Sequence, residues 1–284
     1  MLLHFAATRA PEVLALQASP LLGFFWGSAG LERWAPGRLG LLLLGSFALT
    51  AHIFIFNDWA GYGSDPNDPR RTTQVAARRG ISRRQVAQVA IALLVAAAGA
   101  LAALGGQALA LGAAIAALSF LYSCSPRFGK STPITGSVNH LLGGALHFLL
   151  GYGLVHALDM RGLALSLFFG LVFAGGHLNQ EVRDYEGDLL NGIRTSAVAF
   201  GRQRAFLASL GAFTAAYALV AALAAGGALP SLLRWSSLVW LAHAAWSLRA
   251  LRRGLGFETA VWMQRRYRLL FALIGLAMLA SGLR

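Results

Sequence analysis

Residues 38–58, RLGLLLLGSFALTAHIFIFND, join a long run of apolar side chains to an amide and a carboxylate. Such a run is close to the ~20 residues that a helix needs to cross the hydrocarbon core of a bilayer. Because lipid offers no hydrogen-bond partners, the backbone must satisfy its own polar groups, which favours a helix. The stretch therefore predicts a membrane-spanning helix over 38–57 that ends at Asn57, with Asp58 directly after it.

The same pattern recurs along all 284 residues, of which 57% are hydrophobic and 12% are charged. The alternation of polar and apolar residues that marks the strands of a membrane barrel is absent. We therefore predict a single all-α domain over residues 1–284, a polytopic membrane protein with nine transmembrane helices bundled around a central lipid-accessible cavity. The predicted spans are 12–31, 38–57, 85–104, 107–124, 134–156, 162–180, 204–225, 231–249 and 267–283.

The distribution of Lys and Arg predicts the orientation of the chain. If the N-terminus is cytoplasmic, 19 of the 24 basic residues lie on that side and five lie on the other. This bias follows the positive-inside rule, and we expect an integral protein of a bacterial inner membrane with its active-site loops in the cytoplasm. The net charge of +13 is then a topology signal that also attracts anionic membrane lipid, and no nucleic-acid partner is expected.

Acidic residues are scarce, and seven of the eleven fall in two short clusters. One cluster follows the second predicted span and the other follows the sixth, so both are expected at the cytoplasmic side. Carboxylates concentrated at two membrane edges suggest a divalent metal bound over an anion. The first cluster contains Asp58, Asp65 and Asp68, and the second contains Glu181, Asp184, Glu186 and Asp188.

The second cluster has the spacing of a helix face. Glu181, Asp184 and Asp188 lie at i, i+3 and i+7, so their carboxylates share one face if the sixth span continues for two more turns. Arg183 and Arg194 could offset their repulsion in a surface ion-pair network, which is the alternative to a metal. Mg²⁺ prefers oxygen ligands and bridges carboxylates to phosphates, so the two clusters favour a magnesium site for a lipid diphosphate.

Three segments in a fixed order carry a family resemblance. Asn57-Asp58 through Asp65 and on to Arg71-Thr72 forms the first, Tyr122-Ser123 through Pro126 to Lys130 forms the second, and Glu181 through Asp188 with Gly192 and Thr195 forms the third. Together they resemble the NDxxDxxxD, YSxxP and DxxDxxGD motifs of the UbiA-type intramembrane prenyltransferase superfamily.

The resemblance implies an activity and a set of site residues. It implies an enzyme that transfers alkyl groups other than methyl: two Mg²⁺ ions hold an isoprenoid diphosphate, whose prenyl group passes as an allylic cation to a small acceptor, usually aromatic. By position in the motifs, the catalytic residues are Asp58, Asp65, Asp184 and Asp188, the metal ligands are these four with Glu181, and the substrate-binding residues are Asn57, Arg71, Tyr122 and Lys130.

Polar residues on the fifth and sixth spans are candidates for substrate binding. Asn139, His140 and His177 are predicted to bind substrate. The fifth span, with Asn139 and His140, could line the acceptor pocket, where a histidine orients a hydroxyl or accepts a proton, and His177 could border the head of the prenyl donor. The alternative is that the histidines are buried packing residues bonded to a neighbouring helix.

Three positions depart from the family pattern. Gly61 stands where the first motif has its second Asp, Glu181 replaces an Asp, and Val75-Ala76 replace Arg-Pro. These changes leave two other functions open: a UbiA-type terpene cyclase, in which the cation is captured by its own chain, and a non-catalytic prenyl-lipid binder or transporter.

Overall fold

The computed structural model describes residues 10–28, 35–63 and 76–282. Within these ranges the chain is helical and contains no strand. Short 3₁₀ helices lie at Ala77–Arg79 and Ser231–Trp235. The α-helices are α1 (Ala10–Leu16), α2 (Ala18–Gly27), α3 (Pro36–Ala60), α4 (Arg83–Leu104), α5 (Gly106–Cys124), α6 (Thr135–Val155), α7 (Met160–Leu190), α8 (Ser196–Phe200), α9 (Arg202–Ala225), α10 (Ser236–Arg253) and α11 (Phe257–Gly282).

Six of these helices are long and apolar enough to cross a membrane, namely α3, α4, α5, α6, α7 and α9. The all-helical membrane architecture is thus confirmed for the described residues. The predicted count of nine spans is not confirmed, because the remaining three apolar regions take a different form.

Those three regions are short or charged. The region predicted as span 12–31 contains two helices, α1 of 7 residues and α2 of 10, and residues 29–31 lie outside the described part. The region 231–249 begins with a 3₁₀ helix before α10, and residues 267–282 form the second half of α11. Both α10 and α11 carry several arginines, each of which costs about 2.5–3.5 kcal/mol at the centre of a membrane helix.

The chain divides into two compact units. The first contains residues up to Gly129 together with Leu146–Ala157 and Leu190–Gly192, and the second contains Lys130–Ala145, Leu158–Leu189 and Ile193–Arg284. The first acidic motif therefore belongs to the first unit, and the second acidic motif belongs to the second.

Small residues let helices of the first unit approach closely. A Cβ added at Gly23 of α2 would lie 2.0 Å from the carbonyl oxygen of Phe148, and one added at Gly151 of α6 would lie 1.8 Å from that of Pro20. Backbone contact of this kind is how apolar helices associate when the surrounding lipid is equally apolar. On α3, the buried His52 donates from Nδ1 to the carbonyl of Ala90 at 2.8 Å, which ties α3 to α4.

The second unit is packed around aromatic rings. Phe213 lies 4.7 Å from Tyr267 and 5.2 Å from Phe271 between ring centroids, and Gly175 of α7 leaves room for Phe213. The buried His243 lies 3.2 Å from the hydroxyl of Tyr217. These contacts join α7, α9, α10 and α11, and they fix the helix that carries the second acidic motif.

Replacement of Gly151 by Ala tests the close approach of α2 and α6. The new methyl group would meet the backbone of Pro20, so the helices must separate. We expect destabilisation of about 1–3 kcal/mol, the usual cost of overpacking. Gly99→Ala in α4 is the control, since a Cβ there has nothing within 4 Å and alanine is the better helix former. Equal melting temperatures for the two variants in detergent would contradict this packing.

Candidate active site

The first acidic motif lies where α3 ends. Asn57 and Asp58 occupy its last turn, and the helix stops when the Gly61 N–H bonds the carbonyl of Asn57 at 2.9 Å. The carboxylate of Asp58 is buried, and the side-chain oxygen of Asn57 is buried with no hydrogen-bond partner in the described part of the chain. A buried acceptor without a donor is rare in proteins, and a water or a ligand can supply the missing hydrogen bond at such a position.

The remaining residues of the first motif, Asp65, Asp68 and Arg71, lie outside the described residues. Their flanking residues are fixed. The hydroxyl of Tyr62 donates to the carbonyl of Ile81 at 2.9 Å, and the guanidinium of Arg83 lies 4.6 Å from the Trp59 ring centroid. The described residues Tyr62, Ile81 and Arg83 therefore lie next to the last turn of α3.

The end of α5 and the segment after it hold two further predicted residues, Tyr122 and Lys130. Tyr122 lies in the last turn of α5. In the turn that follows, the hydroxyl of Ser125 accepts hydrogen bonds from the N–H groups of Arg127 and Phe128 at 3.3 and 3.0 Å. This turn needs glycine at position 129, because a Cβ there would lie 2.3 Å from the carbonyl oxygen of Ser125. Lys130 is the first residue of the second unit.

The second motif lies on one unbroken helix. α7 continues to Leu190, so Glu181, Asp184 and Asp188 follow one another along a single face. Glu181 and Asp188 are buried, at 5% and 7% exposed. Three carboxylates so placed require compensating groups, because an unpaired buried charge is costly.

Asp184 is compensated by its neighbour. The Arg183 guanidinium donates two hydrogen bonds of 2.7 Å to the two oxygens of Asp184, and its third nitrogen donates to Gln264 at 3.1 Å. The Arg183–Asp184 contact is one pair of the network that the ion-pair alternative predicts. A guanidinium also binds phosphate well through its paired N–H donors, so Arg183 can bind either the Asp184 carboxylate or a phosphate group.

Glu181 is compensated by backbone donors. Its Oε2 accepts the N–H of Ala197 at 3.2 Å, and the N–H and hydroxyl of Ser196 also bond the carboxylate. The hydroxyl of Ser196 in turn accepts the N–H of Ile134 at 3.0 Å. Ile134 has φ +73°, a left-handed conformation that is strained for a β-branched residue. One carboxylate thus links α7 to the start of α8 and, through Ser196, to the residue before α6.

Two predicted substrate-binding residues come together beside this link. The rings of His140 and His177 stack with centroids 3.9 Å apart. His140 donates from Nδ1 to the carbonyl of Gly136 at 2.8 Å, and His177 Nδ1 lies 3.3 Å from the Ser137 hydroxyl. Asn139 is half-buried on α6 beside His140.

The described residues fit magnesium in donor chemistry. They contain no group of three His, Cys, Asp or Glu side chains close enough to hold a metal ion, and Asp65 and Asp68 fall outside this count. Each motif nevertheless offers the oxygen donors that Mg²⁺ prefers. In the first these are the unpaired oxygen of Asn57 and the carboxylate of Asp58, and in the second the carboxylates of Asp184 and Asp188.

Comparison with known proteins settles the family. The model of the UbiA prenyltransferase family matches residues 18–274. The chain belongs to the UbiA prenyltransferase family. This confirms the resemblance that the three motifs indicate. No curated protein matches the chain in sequence.

Solved UbiA structures share the fold. A UbiA homologue from Archaeoglobus fulgidus bound to GPP and Mg²⁺ superposes with a TM-score of 0.74 at 19% identity, covering 97% of this chain and 99% of that one. The apo form of a homologue from Aeropyrum pernix K1 gives 0.69 at 17% identity, covering 94% and 97%. A digeranylgeranylglyceryl phosphate synthase structure gives 0.64 at 18% identity, covering 97% and 95%.

Three residues outside the predicted site gain importance in the structure. Arg183 and Ser196 bond the second motif, and Asn179 on α7 is 1% exposed with neither amide atom paired in the described residues. Asn179 lies two residues before the second motif, so the motif pattern does not include it. Its signal in the sequence is an amide within an apolar run, where polar residues tend to have a function.

Removal of the Glu181 carboxylate tests its bracing role. Glu181→Ala leaves the N–H groups of Ser196 and Ala197 without an acceptor, so we expect a loss of about 1–3 kcal/mol in stability. Glu181→Gln keeps one acceptor oxygen and should lose less. Thermal unfolding in detergent measures both, with the exposed Glu258→Gln as a control that changes stability by no more than about 0.5 kcal/mol. A Glu181→Ala variant as stable as Glu258→Gln would contradict the role.

Proposed function

We propose that this protein transfers a prenyl group from an isoprenoid diphosphate to a small acceptor, which we take to be aromatic, in a reaction that requires Mg²⁺. The observation that carries the proposal is the second motif: carboxylates lie along one continuous, largely buried helix, with Arg183 bound to Asp184. The family membership and the solved relative that binds GPP and Mg²⁺ support it.

We assign the diphosphate to the motif residues. Asp58, Asp65, Asp184 and Asp188 are the proposed ligands of two Mg²⁺ ions, with Asn57, Arg71, Tyr122 and Lys130 contacting the diphosphate. Glu181, a metal ligand by its place in the motif, accepts backbone hydrogen bonds, which favours a bracing role beside the ligands. Bound Mg²⁺ supplies charge neutralisation to the departing diphosphate oxygens.

The chain's own groups then control the reaction. Arginines at the motifs hold the diphosphate as the carbon–oxygen bond breaks and both bonding electrons leave with the oxygen. The allylic cation is attacked by the acceptor, which afterwards loses a proton. Asn139, His140 and His177 are the proposed residues that orient the acceptor and take this proton, since the half-buried ring of His140 stacks on the buried ring of His177.

We also propose a location. The N-terminus and both acidic motifs face the cytoplasm of a bacterial inner membrane, as the bias of 19 basic residues against five supports. The donor would then lie with its chain among the helices and its diphosphate at the cytoplasmic edge.

Diphosphate release by the purified protein tests this function. Dimethylallyl, geranyl and longer prenyl diphosphates are supplied with aromatic acceptors, and release should require Mg²⁺ and stop on chelation. We expect Asp184→Asn and Asp188→Asn to lose about 100-fold or more in rate, because about 3 kcal/mol of charge stabilisation corresponds to two powers of ten. Glu258→Gln, outside the motifs, is the matched control. Unchanged release by both motif variants would refute the proposal.

Gly61 favours a second candidate, the terpene cyclase. It occupies the position of a motif Asp and ends α3, so the first motif has one carboxylate fewer. A first motif with fewer carboxylates departs from the transferase pattern, and the alternative reaction of the same cation is its capture by its own chain. Release of diphosphate with a cyclised hydrocarbon product and no acceptor, detected by mass spectrometry, would select the cyclase over the transferase.

Gly61→Asp restores the missing carboxylate. The glycine has φ −84°, which any residue adopts, so the variant should fold. We expect the Mg²⁺ concentration for half-maximal diphosphate release to fall severalfold, since an added carboxylate strengthens binding of a hard cation. A Mg²⁺ dependence identical to that of the parent protein would show that position 61 is remote from the metal.

A further inference from the structure

The hairpin of α10 and α11 carries a cluster of arginines around one tryptophan. The guanidinium carbons of Arg266, Arg253 and Arg249 lie 3.7, 5.6 and 5.9 Å from the ring centroid of Trp262. Arg266 also lies 5.6 Å from the ring of Trp246. We call these five residues the arginine cluster.

Helix geometry explains why these side chains meet. Arg249 and Arg253 are four residues apart on α10, as Trp262 and Arg266 are on α11, and each pair therefore shares one helix face. Arg266 is fixed further, because its Nη1 donates to the carbonyl of Trp262 at 3.2 Å. The cluster is thus built from two ordered helix faces rather than from loop side chains.

In the part of the chain that the structure describes, no carboxylate neutralises the cluster. The sole acidic residue in residues 236–282 is Glu258, and no salt bridge joins it to any of these arginines in the described structure. Arg249 and Arg253 lie close enough to Arg266 to repel its charge. The half-buried indole of Trp262 offsets part of this repulsion, and a bound anion would offset more of it.

An exposed apolar stripe begins at the same place. Along α11, Trp262 and Arg266 are followed by Leu269, Leu273 and Leu276, which are 56%, 50% and 60% exposed. The spacing of these five residues is i, i+4, i+7, i+11 and i+14, so all lie within one narrow face of the helix. Fourteen residues of helix measure about 21 Å, comparable to the length of a lipid chain.

We propose that the arginine cluster binds the phosphate of an anionic phospholipid, whose acyl chains lie along Leu269, Leu273 and Leu276. Guanidinium groups suit phosphate because their paired N–H donors match its oxygens. Tryptophan prefers the membrane–water interface, and basic residues beside a membrane attract anionic lipid. None of the cluster residues belongs to the acidic motifs, so lipid binding is independent of the proposed transfer reaction.

Native mass spectrometry of the delipidated full-length protein in detergent tests the proposal. We expect phosphatidylglycerol to bind in preference to phosphatidylcholine. Arg249→Gln/Arg253→Gln should reduce bound phosphatidylglycerol about tenfold. The matched control is Arg252→Gln/Arg265→Gln, which removes the same charge from the same hairpin but keeps Arg249, Arg253 and Arg266 around the ring of Trp262; it should bind within twofold of the parent. An equal loss in both double variants would indicate diffuse attraction and overturn the site.

Three further measurements separate the sources of phosphate and guard against misfolding. Leu273→Asn should weaken long-chain phosphatidylglycerol and leave its soluble short-chain form unaffected, because only the long chains reach the stripe. Full displacement of the lipid by inorganic phosphate would overturn the proposal in favour of a free-ion site. Arg266→Lys keeps the charge and loses the paired donors, so an intermediate affinity supports guanidinium recognition, and parental affinity contradicts it.

Discussion

Local neutralisation of charge is the constraint on which this molecule depends. The helices are so apolar that a carboxylate or guanidinium near them must find its partner within a few ångströms, since an unpaired buried charge is costly. Arg183 holds Asp184, Arg202 holds Glu186, and the backbone N–H of Ala197 holds Glu181. All three pairings lie on α7 or beside it. The second motif is therefore an ordered structure before any ligand arrives.

The pairing of these carboxylates matters for the proposed chemistry. Three carboxylates on one helix face repel one another unless each is paired with a group of the chain. Glu181 joins α7 to α8 and, through Ser196, to the strained Ile134 that precedes α6. α6 carries His140, which stacks on His177 of α7. The carboxylate of Glu181 thus supports the helices that present both the motif and the histidines, which is the preorganisation that an enzyme site requires.

The sequence predicts the apolar helices well and the charged ones poorly. α3 and α7 were predictable because a long apolar run leads directly to a motif, and a run of that length in lipid must be a helix. The count of nine spans is not confirmed at α10 and α11, where Arg249, Arg253 and Arg266 interrupt the apolar pattern and cluster around Trp262. A hydropathy value averages over all residues of a helix segment. It does not show that arginines on one helix face can cluster around a single ring.

The candidate site was likewise predictable only in part. The motif residues could be named from their spacing, and α7 carries Glu181, Asp184 and Asp188 without a break. The partners of Glu181 could not be named, since Ser196 and Ala197 reach it only because the chain turns after α7 and begins a new helix. Asn57 and Asn179 share a second property that a sequence hides, namely buried amide atoms without partners in the described residues.

The position of the metal tests the central claim most directly. Crystals grown with Mn²⁺ in place of Mg²⁺ and a thiodiphosphate analogue of the prenyl donor would locate the ion by its anomalous scattering. The account predicts an ion bound directly by carboxylate oxygens of Asp184 and Asp188, within about 2.5 Å and allowing for the slightly larger ion. Arg183 should then contact the analogue. Electron density for the analogue elsewhere, with Asp184 still bound to Arg183 alone and no anomalous peak at these carboxylates, would contradict it.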